Sequence, residues 1–194
     1  MVFDSDQPRD QLARRATELF SSRGYAAVTV QDIVAAAGVT KPTLYHHFGS
    51  KLGLLRVVLQ ELFAAFAVRI SAAATYRRGN LAQTLIAVAT AYFDHADEEP
   101  AFHRLLMLLW FGPPDSEERG VAIGHFELQH ALFVQLFTAA ADEHGNMRGR
   151  HEAYAATFLG MVHTYIGLRL NGHARLDRKL TQRAVHQFMH GILS

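Results

Sequence analysis

Glycines at positions 38 and 49 constrain this chain more than any other feature, because each ends an apolar run only long enough for a helix of about two turns. Ahead of the first, Thr29-Val30-Gln31-Asp32 reads as a capping box with Asp in the place usually held by Glu. Ile33, Val34 and Ala37 then make one small apolar face. Thr40 is placed to cap the second run, in which Leu44 and Phe48 share a face at i, i+4. Gly38-Val39-Thr40 leaves only a tight corner between the two runs. Short helices so joined form a helix-turn-helix unit from about Thr29 to Phe48.

The same punctuation organises the rest of the chain. A first helix begins near Pro8, with Ser5 or Asp6 as caps; it carries the stripe Leu12, Ala13, Ala16, Leu19 and Phe20, and Gly24 stops it. Ser50 caps a long helix from Lys51 to about Tyr76, in whose first turn Gly53 is unfavourable. Further helices are expected over about Leu81–Glu98, Ala101–Phe111, Glu117–Glu143 and Gly149–Leu170, with a last one capped by Thr181 and reaching about Leu193. Strand patterns are nearly absent. The expectation is an all-α fold of about nine helices, divided into an N-terminal domain over 1–52 and a larger helical domain over 53–194.

Composition narrows the function. With no cysteine among 194 residues, a disulfide scaffold, a thiol nucleophile and a Cys-based zinc site are excluded. No apolar run approaches the roughly 20 residues that span a bilayer, and the polar start MVFDSDQPRD is unlike a signal peptide, so a soluble cytoplasmic protein with no membrane partner is expected. A net charge of +1 argues against a generic polycation, so any DNA binding must come from a local patch. One window supplies it: between Val39 and Lys51 there is no acid, and Lys41, His46, His47 and Lys51 fall inside.

The second short helix suits the major groove, which admits an α-helix and shows a distinct pattern for each base pair. Lys41 can reach a phosphate or a guanine edge, and Thr43 can bond to either. Tyr45 brings a hydroxyl on a flat body, and His46 a short donor. Thr29 and Thr40 stand at helix N-termini whose amides attract phosphate oxygens, and Lys51 is placed to add another phosphate contact.

The stretch Gly24-Tyr25, Thr29-Val30, Ile33, Gly38-Val39-Thr40-Lys41, Thr43-Leu44-Tyr45-His46-His47-Phe48 and Ser50-Lys51 resembles the DNA-binding signature of the TetR family of transcriptional regulators. It covers about a quarter of the chain and fixes glycine, aromatic, hydroxyl and lysine positions together. The resemblance implies a homodimeric repressor of double-stranded operator DNA, released by a small inducer and paired through its last two long helices. It makes Thr40, Lys41, Thr43, Tyr45 and His46 groove- or phosphate-facing, and Thr29 and Lys51 backbone-facing. Two positions depart from the pattern: Gln31 stands where many relatives have Arg, and Leu52 where an acid usually follows the lysine.

Beyond Leu81 the chain holds more large apolar side chains than one helical layer hides, which suits a cavity and a dimer face. Phe102, Leu106, Trp110, His125, Phe126, Phe158 and His163 are the candidates for a largely apolar inducer. Tyr154, Phe158, Met161, Tyr165 and Leu168, with Val185, Phe188, Met189 and Ile192, are candidates for the dimer face. His186 and His190 lie i, i+4 on one helix, but no third ligand stands near them in sequence. His151-Glu152 starts like a zincin motif, with Ala155 where the second His belongs. No metal, cofactor or enzyme activity is expected: there is no nucleophile elbow, phosphate loop or paired carboxylate motif.

Overall fold

The computed structural model describes residues 7–191, apart from the Asn146 side chain. Within them the chain forms nine α-helices, and no strand occurs among the described residues. They are α1 (Pro8–Arg23), α2 (Val30–Ala37), α3 (Lys41–Phe48), α4 (Lys51–Ala73), α5 (Leu81–Glu98), α6 (Pro100–Trp110), α7 (Glu117–Ala140), α8 (His151–Leu170) and α9 (Arg178–His190). None of them is long and apolar enough to cross a membrane.

The packing divides into two units, and the division differs from the 1–52 and 53–194 partition suggested by the motif. One unit runs to Ala65 and takes in Glu99–His125; the other comprises Phe66–Glu98 and everything from Phe126 on. In the first unit α1 packs on α2, α3 and α6. Leu12, Ala13, Ala16 and Phe20 of α1 are fully buried with Val28, Ile33 and Leu44, while Leu19 at the edge of the stripe is only half-buried. Burying a side chain such as Leu44 contributes about 2 kcal/mol. In the second unit α5 packs on α8 and α9, around an aromatic core of Phe66, Tyr92, Phe93, Phe133, Phe137 and Phe158.

Most helix ends follow the local chemistry. The Thr29 hydroxyl accepts from the Asp32 amide at 3.1 Å, and the Asp32 carboxylate accepts from the Thr29 amide at 2.8 Å, which is the reciprocal capping box. Gly38 turns left-handed at φ 67°, a conformation that costs glycine nothing, and its amide closes on the carbonyls of α2. The Gly53 amide donates to the Ser50 hydroxyl at 2.9 Å, as a cap at Ser50 requires.

Four ends differ. Thr40 occupies the cap position of α3, but its hydroxyl pairs with that of Thr43 at 2.9 Å and caps no amide. Asp177, not Thr181, caps α9: its carboxylate accepts from the Leu180 amide at 2.8 Å, and Thr181 lies in the first turn with its hydroxyl donating to the Asp177 carbonyl. Helix α4 ends at Ala73 and α7 at Ala140, each three residues short of expectation. Glu143 accounts for both, because its carboxylate accepts from Tyr76 Oη at 2.7 Å, Arg78 Nε at 2.9 Å and the Gly79 amide at 2.6 Å. That places two connecting turns against each other instead of extending either helix. The expected caps Ser5 and Asp6, and the reach of the last helix through Ile192 to Leu193, lie outside the described residues.

Gly53 is explained by space. A Cβ there would run into the Phe48 carbonyl oxygen, so only glycine lets α4 start directly against the end of α3. Gly53→Ala should therefore destabilise the protein by about 1–3 kcal/mol through overpacking, although alanine is the better helix former by about 1 kcal/mol. Urea denaturation measures it, and a variant as stable as the parent would refute the steric argument.

Candidate nucleic-acid interface and effector site

Helix α3 has two faces of opposite character. Leu44 is fully buried and Phe48 nearly so, anchoring the helix on α1 and α2. On the other side Lys41, Tyr45, His46 and His47 are exposed, and Thr43 is half-buried beside Thr40. Tyr45 keeps 50% of its surface in solvent, high for a large aromatic, which leaves its ring and hydroxyl available. The His46 and His47 rings meet edge to face at 5.1 Å. Thr29 is exposed at the start of α2, where its hydrogen bonds hold the Asp32 carboxyl below the usual carboxylate range. The structure thus gathers Thr40, Lys41, Thr43, Tyr45 and His46 on or beside one surface of a short helix.

Lys51 does something else. Its ammonium donates to the carbonyls of Tyr25 at 3.0 Å and Val28 at 2.9 Å, and lies 4.0 Å from the centre of the Tyr25 ring. The loop between α1 and α2 leaves those carbonyls outside any helix, and a cation satisfies both at once. Two of the three N–H donors of Lys51 are thus directed at this loop. Tyr25 is tied from its far end as well, donating its hydroxyl to the Glu117 carboxylate at 2.9 Å. Burial and that bond push its phenol above the ordinary range, so it stays a donor.

The seven effector candidates fall into two groups. Phe102, Leu106, Trp110 and His125 belong to the first unit, where Phe63 meets Phe102 edge to face at 5.3 Å and stacks on His125 at 4.3 Å. Phe102 and Leu106 are buried, whereas Trp110 stands 47% exposed at the end of α6 and is not enclosed. Phe126, Phe158 and His163 belong to the second unit. There Phe158 sits against Phe133 at 5.6 Å and Phe188 at 5.3 Å, and His163 meets Tyr92 at 6.0 Å. Burial pushes the His163 imidazole down to about 4; His95 is also held at about 4, by burial and by the charge of Arg69. Both are therefore neutral at pH 7. Tyr92, which the sequence pattern did not single out, is buried beside His163 with no partner for its hydroxyl. No cluster of three or more His, Cys, Asp or Glu able to hold a metal occurs among the described residues, and the His186 and His190 rings lie 4.4 Å apart.

Residues 12–58 match the family profile described as bacterial regulatory proteins, tetR family. Over those residues the chain is similar to the TetR family's DNA-binding part. It is 38% identical over 101 residues to the HTH-type transcriptional activator FasR of Mycolicibacterium smegmatis, covering 52% of this chain and 46% of that protein. It is 46% identical over 56 residues to the HTH-type transcriptional repressor DhaR of a Mycobacterium species, covering 29% of this chain and 28% of that one. The match thus spans less than half the length of either relative. In fold, this chain resembles the transcriptional regulator FadR of Bacillus subtilis solved in complex with stearoyl-CoA. The TM-score is 0.75 at 18% identity, covering 94% of this chain and 98% of that one.

Two outcomes follow. Lys51→Ala leaves two carbonyls without their cation and should cost about 1–3 kcal/mol in urea denaturation; a lysine serving only phosphate would leave stability unchanged. For the histidines, the unfolded chain binds protons from about pH 6.5 downward, whereas the folded chain takes them up only near pH 4. Their contribution is thus complete above pH 6.5 and lost as pH falls toward 4, at about 1.4 kcal/mol per pH unit for each histidine. Denaturation at pH 6.5 and 5.0 should show that loss, and His163→Phe should make it smaller. A loss unchanged in the variant would refute the buried neutral His163.

Proposed function

We propose that this protein is a sequence-specific DNA-binding transcriptional regulator. The observation that carries the proposal is α3: anchored by Leu44 and Phe48, it presents Lys41, Tyr45 and His46 outward on an acid-free surface. In this reading α3 enters the major groove, Lys41 and Tyr45 meet base edges or phosphates, and Thr43 and His46 add hydrogen bonds. Thr29 and Thr40, at the starts of α2 and α3, stand beside backbone amides suited to phosphate oxygens.

A largely apolar small molecule bound among the aromatic helices controls DNA affinity, and a long-chain acyl compound of the kind held by Bacillus subtilis FadR is the first to test. Phe102, Leu106, His125, Phe126, Phe158 and His163 remain the residues offered for it, with Trp110 at the margin. The working unit is a homodimer formed through α8 and α9, whose Tyr154, Met161, Tyr165 and Phe188 line an open groove of about 560 Å³ for a second copy to cover. Two copies of α3 about 34–36 Å apart then read successive major grooves, and a small change in that spacing releases DNA. Repression is the proposed output, in the cytoplasm and without catalysis, although relatives include both the repressor DhaR and the activator FasR.

The test is selection from a random duplex pool followed by fluorescence anisotropy. The parent protein should enrich one sequence, and the Lys41→Ala/Tyr45→Ala double variant should lose at least about 30-fold in affinity for it, two good contacts being worth about 1–3 kcal/mol each. Its circular dichroism and oligomeric state should match the parent. Undiminished specific binding by the double variant would overturn the placement of α3.

A further inference from the structure

Tyr92 lies on α5 with no exposed surface, enclosed by Phe66 at 5.0 Å, Phe133 at 6.1 Å and His163 at 6.0 Å, all measured between ring centres. Its hydroxyl has no hydrogen-bond partner. A phenylalanine would fill the same space without that oxygen, so the hydroxyl costs stability as the protein stands. Burial also raises the phenol well above its ordinary range, which leaves it an uncharged donor.

His163 borders the same spot from α8. Protein surrounds it closely enough to keep the imidazole neutral, and the residue retains some accessible surface. A neutral imidazole and a phenol offer a donor and an acceptor but no charge. Two arginines of this unit are committed to carboxylates: Arg69 to Glu98 at 2.6 Å and Asp94 at 3.8 Å, and Arg169 to Asp97 at 2.8 Å. With Tyr92 and His163 both uncharged, a carboxylate brought beside Tyr92 would find no counter-ion in either of them.

We propose that Tyr92 and His163 form the polar anchor for an uncharged oxygen, a carbonyl or a hydroxyl, on an otherwise apolar ligand. The Tyr92 hydroxyl donates to that oxygen, Phe66 and Phe133 wall the carbon skeleton, and His163 completes the polar end. The proposal rests on the effector reading above and deepens it by naming the ligand's chemical class.

The experiment titrates the full chain at pH 7.5 with 2-decanone and with decanoate by calorimetry. A matched anisotropy titration follows release of the selected duplex. The ketone is expected to bind at least about tenfold tighter than the carboxylate. Tyr92→Phe should raise the melting temperature of the ligand-free protein and weaken the ketone about tenfold, the loss of one neutral hydrogen bond. Equal or tighter decanoate binding, an unchanged ketone affinity in Tyr92→Phe, or no ketone binding would each overturn the proposal. Ketone binding through Tyr92 in a chain that selects no duplex would overturn the regulator reading and support this one. Duplex release by an effector to which Tyr92→Phe is indifferent would overturn this one alone.

Discussion

The ammonium of Lys51 decides how the reading head is held. Between the end of α1 and the start of α2 the chain makes a turn whose carbonyls at Tyr25 and Val28 find no helical partner, and Lys51 reaches them from the first turn of α4. One cation thus fixes the loop that sets where α2 begins, and with it the pose of α3 across the Gly38 corner. Tyr25 extends the tie: its ring receives the ammonium on one face, while its hydroxyl bonds Glu117 at the start of α7. A loop of a few residues is in this way bound to two long helices by four groups, which is a geometric constraint stronger than burial alone provides.

How much of this was legible in the sequence depends on how far apart the partners lie. The capping box at Thr29, the left-handed turn at Gly38, the cap at Ser50 and the inward pair Leu44 and Phe48 are all local, and each follows from residues within one turn. The outward face of α3 is then the complement of its buried pair. The loop contacts of Lys51 were not legible because its partners stand 26 and 23 residues back, beyond any periodicity. Gly53 looked unfavourable for the same reason, since the obstacle is a carbonyl of the preceding helix. The shortened ends of α4 and α7 follow from Glu143, whose partners lie 67, 65 and 64 residues away.

The effector candidates illustrate a different limit. A 3.6-residue apolar pattern identifies side chains that go inward but not which inward group they join. Phe102 and His125 converge on Phe63, whereas Phe158 and His163 belong to another aromatic cluster. Tyr92 is the sharper case, because in an apolar helix a tyrosine and a phenylalanine serve the pattern equally well. What sets it apart is the missing partner of one oxygen atom, and that is a property of the assembled core. Polar groups left unpaired inside an aromatic cluster cost stability, so their presence is better explained by what they bind than by how the chain folds.

The loop contacts of Lys51 also change what the near-neutral charge of the chain means. Counted along the sequence, Lys41 and Lys51 bracket a basic window; in three dimensions, one of them is committed to carbonyls inside the protein. Carbonyls leave that ammonium its charge, but two lysines are still a small basic patch with which to draw in phosphates irrespective of sequence. Under the proposed function, discrimination falls on Lys41, Thr43, Tyr45 and His46, which carry directional hydrogen-bonding groups and a flat aromatic surface, and on helix N-termini, which recognise phosphate by position more than by charge. A regulator with a chain charge of +1 would then gain its specificity by limiting its general attraction to DNA, while the lysine tied to the loop holds its charge at a fixed place beside α3.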